Sequence, residues 1–219
     1  MPDMEAMGYR YRKTDNIFSK TNGEAVDRFS VSFDGRGGLV SVNGGFSVLL
    51  PKVETLLSRA FKPRYSWSAG ASFLNAGAKP HQYDLFVMKY AELTPKQKAA
   101  IDPDLVHPQE RIDEARACLL DIHERHARKL FEQVTTARAL YDLMLDAMRG
   151  DVWAMRMSVQ LPVAMRNALV LGAALGLDTN DIYRYAEEYD VRYNTQFATN
   201  SVREADGFLS IASPADLQL

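Results

Sequence analysis

The chain has one cysteine, Cys118, four histidines and two tryptophans among 219 residues. A lone thiol closes no internal disulfide and builds no cysteine-based zinc or iron–sulfur centre, so a reducing cytoplasm is the expected setting. Long apolar runs are missing as well. The oiliest stretch, 168–177, is about half of the roughly 20 residues a membrane-spanning helix needs. The opening Met1-Pro2-Asp3-Met4-Glu5 is acidic and has no apolar core of a leader, which predicts no secretory signal. There is no Gly-x-Ser-x-Gly elbow for a serine hydrolase. Asp34-Gly35-Arg36-Gly37-Gly38 lacks the Gly-Lys-Ser/Thr ending of a phosphate loop and reads as a hairpin turn. Neither sign of charge dominates, with 26 Lys and Arg against 28 Asp and Glu. Hydrophobic residues at 47% and charged residues at 25% are the mixture of a folded domain and exclude disorder for most of the chain.

The charge is unevenly placed. Residues 1–100 hold 14 Lys and Arg against 9 Asp and Glu, a net +5, and residues 101–219 hold 12 against 19, a net −7. Nine of the 13 glycines fall in the first hundred residues. This divides the chain into a sheet-containing region, 1–100, and a helical region, 101–219, which form either two subregions or one continuous domain.

Residues 8–49 read as an antiparallel meander of three or four strands. Tyr9-Arg10-Tyr11-Arg12 alternates aromatic and basic side chains, and Asn22-Gly23 supplies a tight turn. Phe29, Val31 and Phe33 share the face expected to be buried, and Gly44-Gly45 marks a bulge or close backbone approach. Pro51 opens a helix with Val53, Leu56, Leu57 and Ala60 at helical spacing. Two further strands are expected within 65–73 and 83–90, joined by a Gly/Pro loop at 75–80, with a short helix opened by Thr94-Pro95.

From Pro108 the pattern is helical. Ile112, Ala115, Leu119, Ile122, His126, Leu130, Val134, Ala137, Tyr141, Met144 and Met148 step by three or four up to Gly150. One straight helix of that length would be about 60 Å long, so a kink or break is expected. The pairs Asp121/Arg125, Glu124/Arg128, Arg128/Glu132 and Arg138/Asp142 are spaced to bridge along its surface. Two more helices are expected, at about 152–176 with Pro162 inside it and at about 180–198, followed by a loop-like end. The fold class is therefore α+β: an N-terminal antiparallel β-meander with a packed helix, then an all-helical C-terminal region.

Three constellations could carry function. Tyr185, Tyr189, Tyr193 and Phe197 form an i, i+4 ladder, and Glu187 and Glu188 lie beside it. Tyrosine-rich acidic helices suit a basic protein partner. Gly172, Gly176 and Ile182 have helix-turn-helix spacing within 170–185, which raises a nucleic-acid reading. Asp178, Asp181, Glu187, Glu188 and Asp190 oppose it by repelling phosphate, and the basic residues available instead are Arg10, Arg12, Lys13, Lys20 and Arg28. His123 and His126 lie three apart on the long helix. They could begin the metal site of a hydrolase, but zinc needs at least one more protein ligand and Asp121-Ile122-His123-Glu124-Arg125-His126 is not His-Glu-x-x-His. The other two histidines are His81 and His107. Cys118 reads as a small core side chain.

Four N-terminal strings lie in a recognisable order: Arg10 to Lys13, Asn16-Ile17-Phe18-Ser19-Lys20, Phe29-Ser30-Val31, and Val42-Asn43-Gly44-Gly45-Phe46 running to Leu50-Pro51. Over residues 8–57 this stretch resembles an uncharacterised family of bacterial domains. The resemblance implies a small bacterial cytoplasmic protein with no established enzymatic site, of a kind associated with toxin systems as an immunity or accessory protein. The expectation is therefore a non-enzymatic protein-binding module of the immunity or inhibitor type. It would take a basic partner through Tyr185, Tyr189, Tyr193, Glu187 and Glu188, and need no cofactor, metal or membrane. Self-association stays open, as do the nucleic-acid and metal-dependent hydrolase alternatives.

Overall fold

The computed structural model describes residues 2–36, 39–61, 68–72, 82–84 and 108–219. The loop expected at 75–80, the Thr94-Pro95 helix, His81, His107, residues 37–38 of the glycine-rich turn and the side chain of Phe33 lie outside the described residues.

After a short helix α1 (Pro2–Ala6), the strands β1 (Arg10–Arg12), β2 (Ile17–Asn22), β3 (Ala25–Arg36) and β4 (Leu39–Leu49) form a meander. Helix α2 (Pro51–Ala60) follows, and β5 (Ala69–Ser72) and β6 (Gln82–Asp84) both pair with β4. The sheet is antiparallel in order β1-β2-β3-β4-β5. Asn22 pairs with Ala25 across a two-residue turn, with Gly23 at φ +63. The period-two pattern then decides which face is inside. Phe18, Phe29, Phe46 and Ala71 stand in one register row across four strands, and all four are buried.

That apolar face is covered by the first helical run. It contains α3 (Pro108–Ile122), a π-helical segment (His123–Ala127) and α4 (Arg128–Gln133). Phe131 meets Phe46 edge-on at 6.4 Å between ring centroids, and His123 meets Phe29 at 5.8 Å. The expected break in the long helical pattern is real and falls at 134–136. There Thr136 caps α5 (Ala137–Met148) by accepting a hydrogen bond from Ala139 N. All four surface charge pairs read from the sequence form.

Two helical expectations are corrected. The helix expected at 152–176 is two, α6 (Val152–Met157) and α7 (Leu161–Ala174), because Asp151 caps the first and Pro162 sits in the first turn of the second. A proline there removes no intrahelical bond, so it starts a helix and does not interrupt one. The helix expected to reach 198 ends earlier. Helix α8 (Asn180–Tyr193) stops at Asn194, which is left-handed at φ 50, and residues expected to be loop form α9 (Phe197–Leu209). Asp190 in α8 makes that second start possible. Its Oδ1 accepts from Thr195 Oγ1 at 2.9 Å and Ala198 N at 3.0 Å, and its Oδ2 accepts from Thr199 N at 2.8 Å. Two of the first-turn N–H groups of α9 that lack an intrahelical acceptor are thereby satisfied.

Helix α7 is the centre of the helical layer, with Val163 to Gly172 buried without a gap. Helices α5, α8, α9 and α2 pack around it. Arg166 crosses this interior, held between Glu204 of α9 at 3.0 Å and the ring of Phe61, 4.0 Å from its centroid, just past α2. One hydrophobic cluster runs from Met4 through the sheet to Ala205, so sheet and helices share a core.

Candidate functional site

Helix α8 presents the tyrosines unevenly. Ile182, Ala186 and Asp190 are its buried stripe, and Tyr185 and Tyr189 flank that stripe, half-buried against the core. Tyr193 is 50% exposed and stacks on Tyr189 at 4.6 Å in a tilted arrangement. Glu187 and Glu188 lie exposed. Arg184 binds both Asp181 and Glu188 at 3.0 Å and lies 4.6 Å over the Tyr185 ring, and Arg192 lies 5.6 Å from that of Tyr193. The helix thus supplies counter-charges for much of its own acidity. Composition alone overstates how negative this surface is.

Phe197 does not continue the ladder, because the helix ends at Tyr193 and the chain turns at Asn194 before α9 begins. It joins the tyrosines differently. Val191 at 83%, Tyr193 at 50% and Phe197 at 70% exposure are three large apolar side chains within seven residues, at the corner where α8 gives way to α9. Sequence reading missed Val191, although its place one turn beyond Glu187 already put it on the solvent face. At the far end of the same helix pair Tyr183 Oη donates to Asp206 Oδ1 at 2.6 Å and ties the start of α8 to the end of α9, burial and that carboxylate pushing the phenol up to about 12.

The α7–α8 pair explains the helix-turn-helix spacing by packing. Leu177 N donates to Gly172 O at 2.9 Å and Gly176 N to Ala173 O at 3.1 Å, which closes α7 with Gly176 left-handed at φ +67. A side chain at position 172 would meet Thr179 and Tyr141. The exposed face of α8 that would read DNA carries Asp181, Glu187 and Glu188.

Three of the five basic residues share one face of the sheet and the two lysines lie elsewhere. Arg10, Ser19, Arg28 and Ser47 form one register row on the sheet's outer face, and Arg12 shares that face and pairs with Asp15. Lys20 lies opposite Asp27 on the other face, 5.7 Å from the ring of Tyr9, and Lys13 sits in the β1–β2 turn.

The histidines also separate. His123 is 5% exposed, enclosed by Tyr9, Phe29 and Phe131 at 5.6, 5.8 and 5.9 Å between centroids. His126 is only half-buried. A π-helical turn holds more residues than an α-helical one, so residues three apart no longer share a face as they would on an α-helix. Among the described residues no group of three or more His, Cys, Asp or Glu is placed to hold a metal ion.

A second buried polar group lies nearby. Asp27 is 2% exposed, with Oδ2 receiving Asn22 Nδ2 at 3.2 Å, and that same amide donates to Phe131 O at 2.9 Å. Burial pushes its carboxyl up to about 6, against the pull of Asn22 and Lys20. Alternation in β3 signals this in the sequence, since Ala25, Phe29 and Val31 share the inward face with it.

A cleft of about 300 Å³ opens between the β2–β3 turn and the first turns of α2 and α5, with Lys52 and Arg138 among its lining residues. It is at the small end for a ligand pocket and takes in none of the candidate site residues read from the sequence. No family model, no curated protein and no solved structure matches the chain.

Proposed function

We propose that the chain is a protein-binding module rather than an enzyme, and that it contacts its partner through the α8–α9 corner. The observation that supports this is the exposure of Tyr193 and Phe197, two aromatic side chains on either side of the left-handed Asn194, with Val191 exposed on another side of α8. Large apolar groups held in water gain free energy when a partner covers them, and aromatic side chains are frequent anchors of such contacts. Tyr189 packs against Tyr193 at this corner, and Tyr185, Glu187 and Glu188 lie further back along α8. The fitting partner has an apolar pocket able to take aromatic rings and a basic group to meet Glu187. A bacterial immunity or inhibitor role follows from the resemblance over residues 8–57, and the free, half-buried Cys118 suits a reducing cytoplasm. The nucleic-acid alternative is less well supported because Lys20 and the arginines lie on opposite faces of the sheet.

Site-specific photo-crosslinking in the native host tests the surface. A benzophenone side chain at position 193 or 197 is expected to trap one partner that the same group at Glu132, exposed on α4, does not trap. Equal or absent adducts at all three positions would remove the corner from consideration.

A further inference from the structure

His123 and Asp27 are each more than nine-tenths buried, and each keeps one polar atom, Nδ1 and Oδ1, without a hydrogen-bond partner. Both face the seam between the sheet and the helical layer, and Tyr9 lies between them. Its hydroxyl is 3.2 Å from His123 Nε2, and it feels the charges of both Asp27 and Glu124. On the helical side the backbone departs from α geometry here: Arg128 N reaches back to His123 O, five residues away. Such π segments often mark functional positions.

The surroundings choose the tautomer. Glu124 Oε1 lies 3.4 Å from His123 Nδ1, too poorly aligned for a hydrogen bond. A bare nitrogen lone pair facing a carboxylate is repulsive, so Nδ1 carries the hydrogen and Tyr9 Oη donates to Nε2. The other groups around the ring are the charges of Lys20 from β2 and Arg128 from α4, and the apolar rings of Phe29 and Phe131.

We propose that His123, Tyr9 and Glu124 form a proton-operated latch that seats the π-helical segment on the sheet. A solvent proton bound at Nε2 turns Tyr9 Oη from donor to acceptor, and the resulting imidazolium is drawn towards the exposed Glu124 carboxylate. A charge cannot stay in an aromatic enclosure without cost, so the ring leaves it and the segment loosens. Burial holds the imidazole below its ordinary 6.5, the Glu124 contacts opposing, which keeps the latch shut at neutral pH. This device is independent of binding at the α8–α9 corner.

The test is a pH titration by NMR, following His123 Cε1–H together with amide hydrogen exchange of residues 119–131, on the full chain carrying Asp27→Asn, which removes the opposite titration of that buried carboxyl, as the parent for every variant. His123 is expected to titrate below its ordinary value, and protection of 119–131, corrected for intrinsic exchange, to fall about tenfold or more between about pH 7.5 and pH 5. Glu124→Gln should move the midpoint down, and His123→Phe should make protection of the segment independent of pH. The proposal is overturned if His123 titrates while protection stays constant, if it remains neutral until the chain unfolds, or if Glu124→Gln leaves the midpoint in place. Loss of protection on acidification in His123→Phe to the same extent as in the Asp27→Asn parent would overturn it too.

Discussion

Asp27 occupies a position where strand alternation calls for an apolar side chain, between Ala25 and Phe29 on the inward face. Its carboxyl, raised by burial to about 6, keeps a proton that the unfolded chain has already lost. The stability carried by the neutral form is therefore full below about pH 4 and is lost as pH rises through about 6. Asp27→Asn should gain about 1–2 kcal/mol at pH 7.5 and flatten the fall between pH 4 and 6, as read from urea midpoints. His123 acts with the opposite sign. Its depressed value contributes stability present above 6.5 and lost as pH falls through the folded value. Two glycines separate packing from backbone conformation. A Cβ at Gly172 would collide with Thr179 Cγ2 and stand 2.9 Å from Tyr141 Cε2, whereas one at Gly176 meets nothing within 4 Å but would sit at φ +67. Gly172→Ala should cost about 1–2 kcal/mol by overpacking and Gly176→Ala about 1 kcal/mol by strain, both measurable as thermal shifts.

The α8–α9 junction depends on one side chain. Asp190 accepts three hydrogen bonds, and although burial opposes ionisation, the donors Thr199, Ala198 and Thr195 hold its carboxyl below the ordinary 3.8. Asp190→Ala should cost about 1–2 kcal/mol and raise amide exchange first in α9, which hydrogen-exchange mass spectrometry can resolve. This element also shows where sequence reading stops. The meander, the buried row of Phe18, Phe29 and Phe46, and the start of α2 follow from period-two alternation and Pro51, which are local signals. Helix α9 has only Ala198, Val202 and Ala205 as its buried stripe, diluted by Asn200, Ser201 and Gly207. It is helical because Asp190 caps it and α7 receives it, and both are tertiary facts. Pro162 misleads for the same reason, since a proline marks a helix start only when the preceding break is known. The tyrosine ladder was legible as a spacing. Its division into two half-buried rings and one exposed ring depended on how α8 lies on the core.

At the scale of the molecule, the uneven charge does not separate two independent bodies. A single hydrophobic cluster spans sheet and helices, with Arg166 tied to Glu204 and stacked on Phe61 where α2 meets the helical layer. Chemical unfolding should therefore be one transition whether followed by far-ultraviolet circular dichroism or by tryptophan fluorescence, and separate transitions would contradict a shared core. The exposed apolar corner lies outside that core, so it can be altered without unfolding the chain. The most direct measurement of the binding proposal is quantitative affinity capture with wild-type chain and the Tyr193→Ala/Phe197→Ala double variant, matched for thermal midpoint. Recovery of a stoichiometric partner should fall about thirtyfold in the variant, equivalent to about 2 kcal/mol. Equal recovery by both chains would contradict binding through the α8–α9 corner.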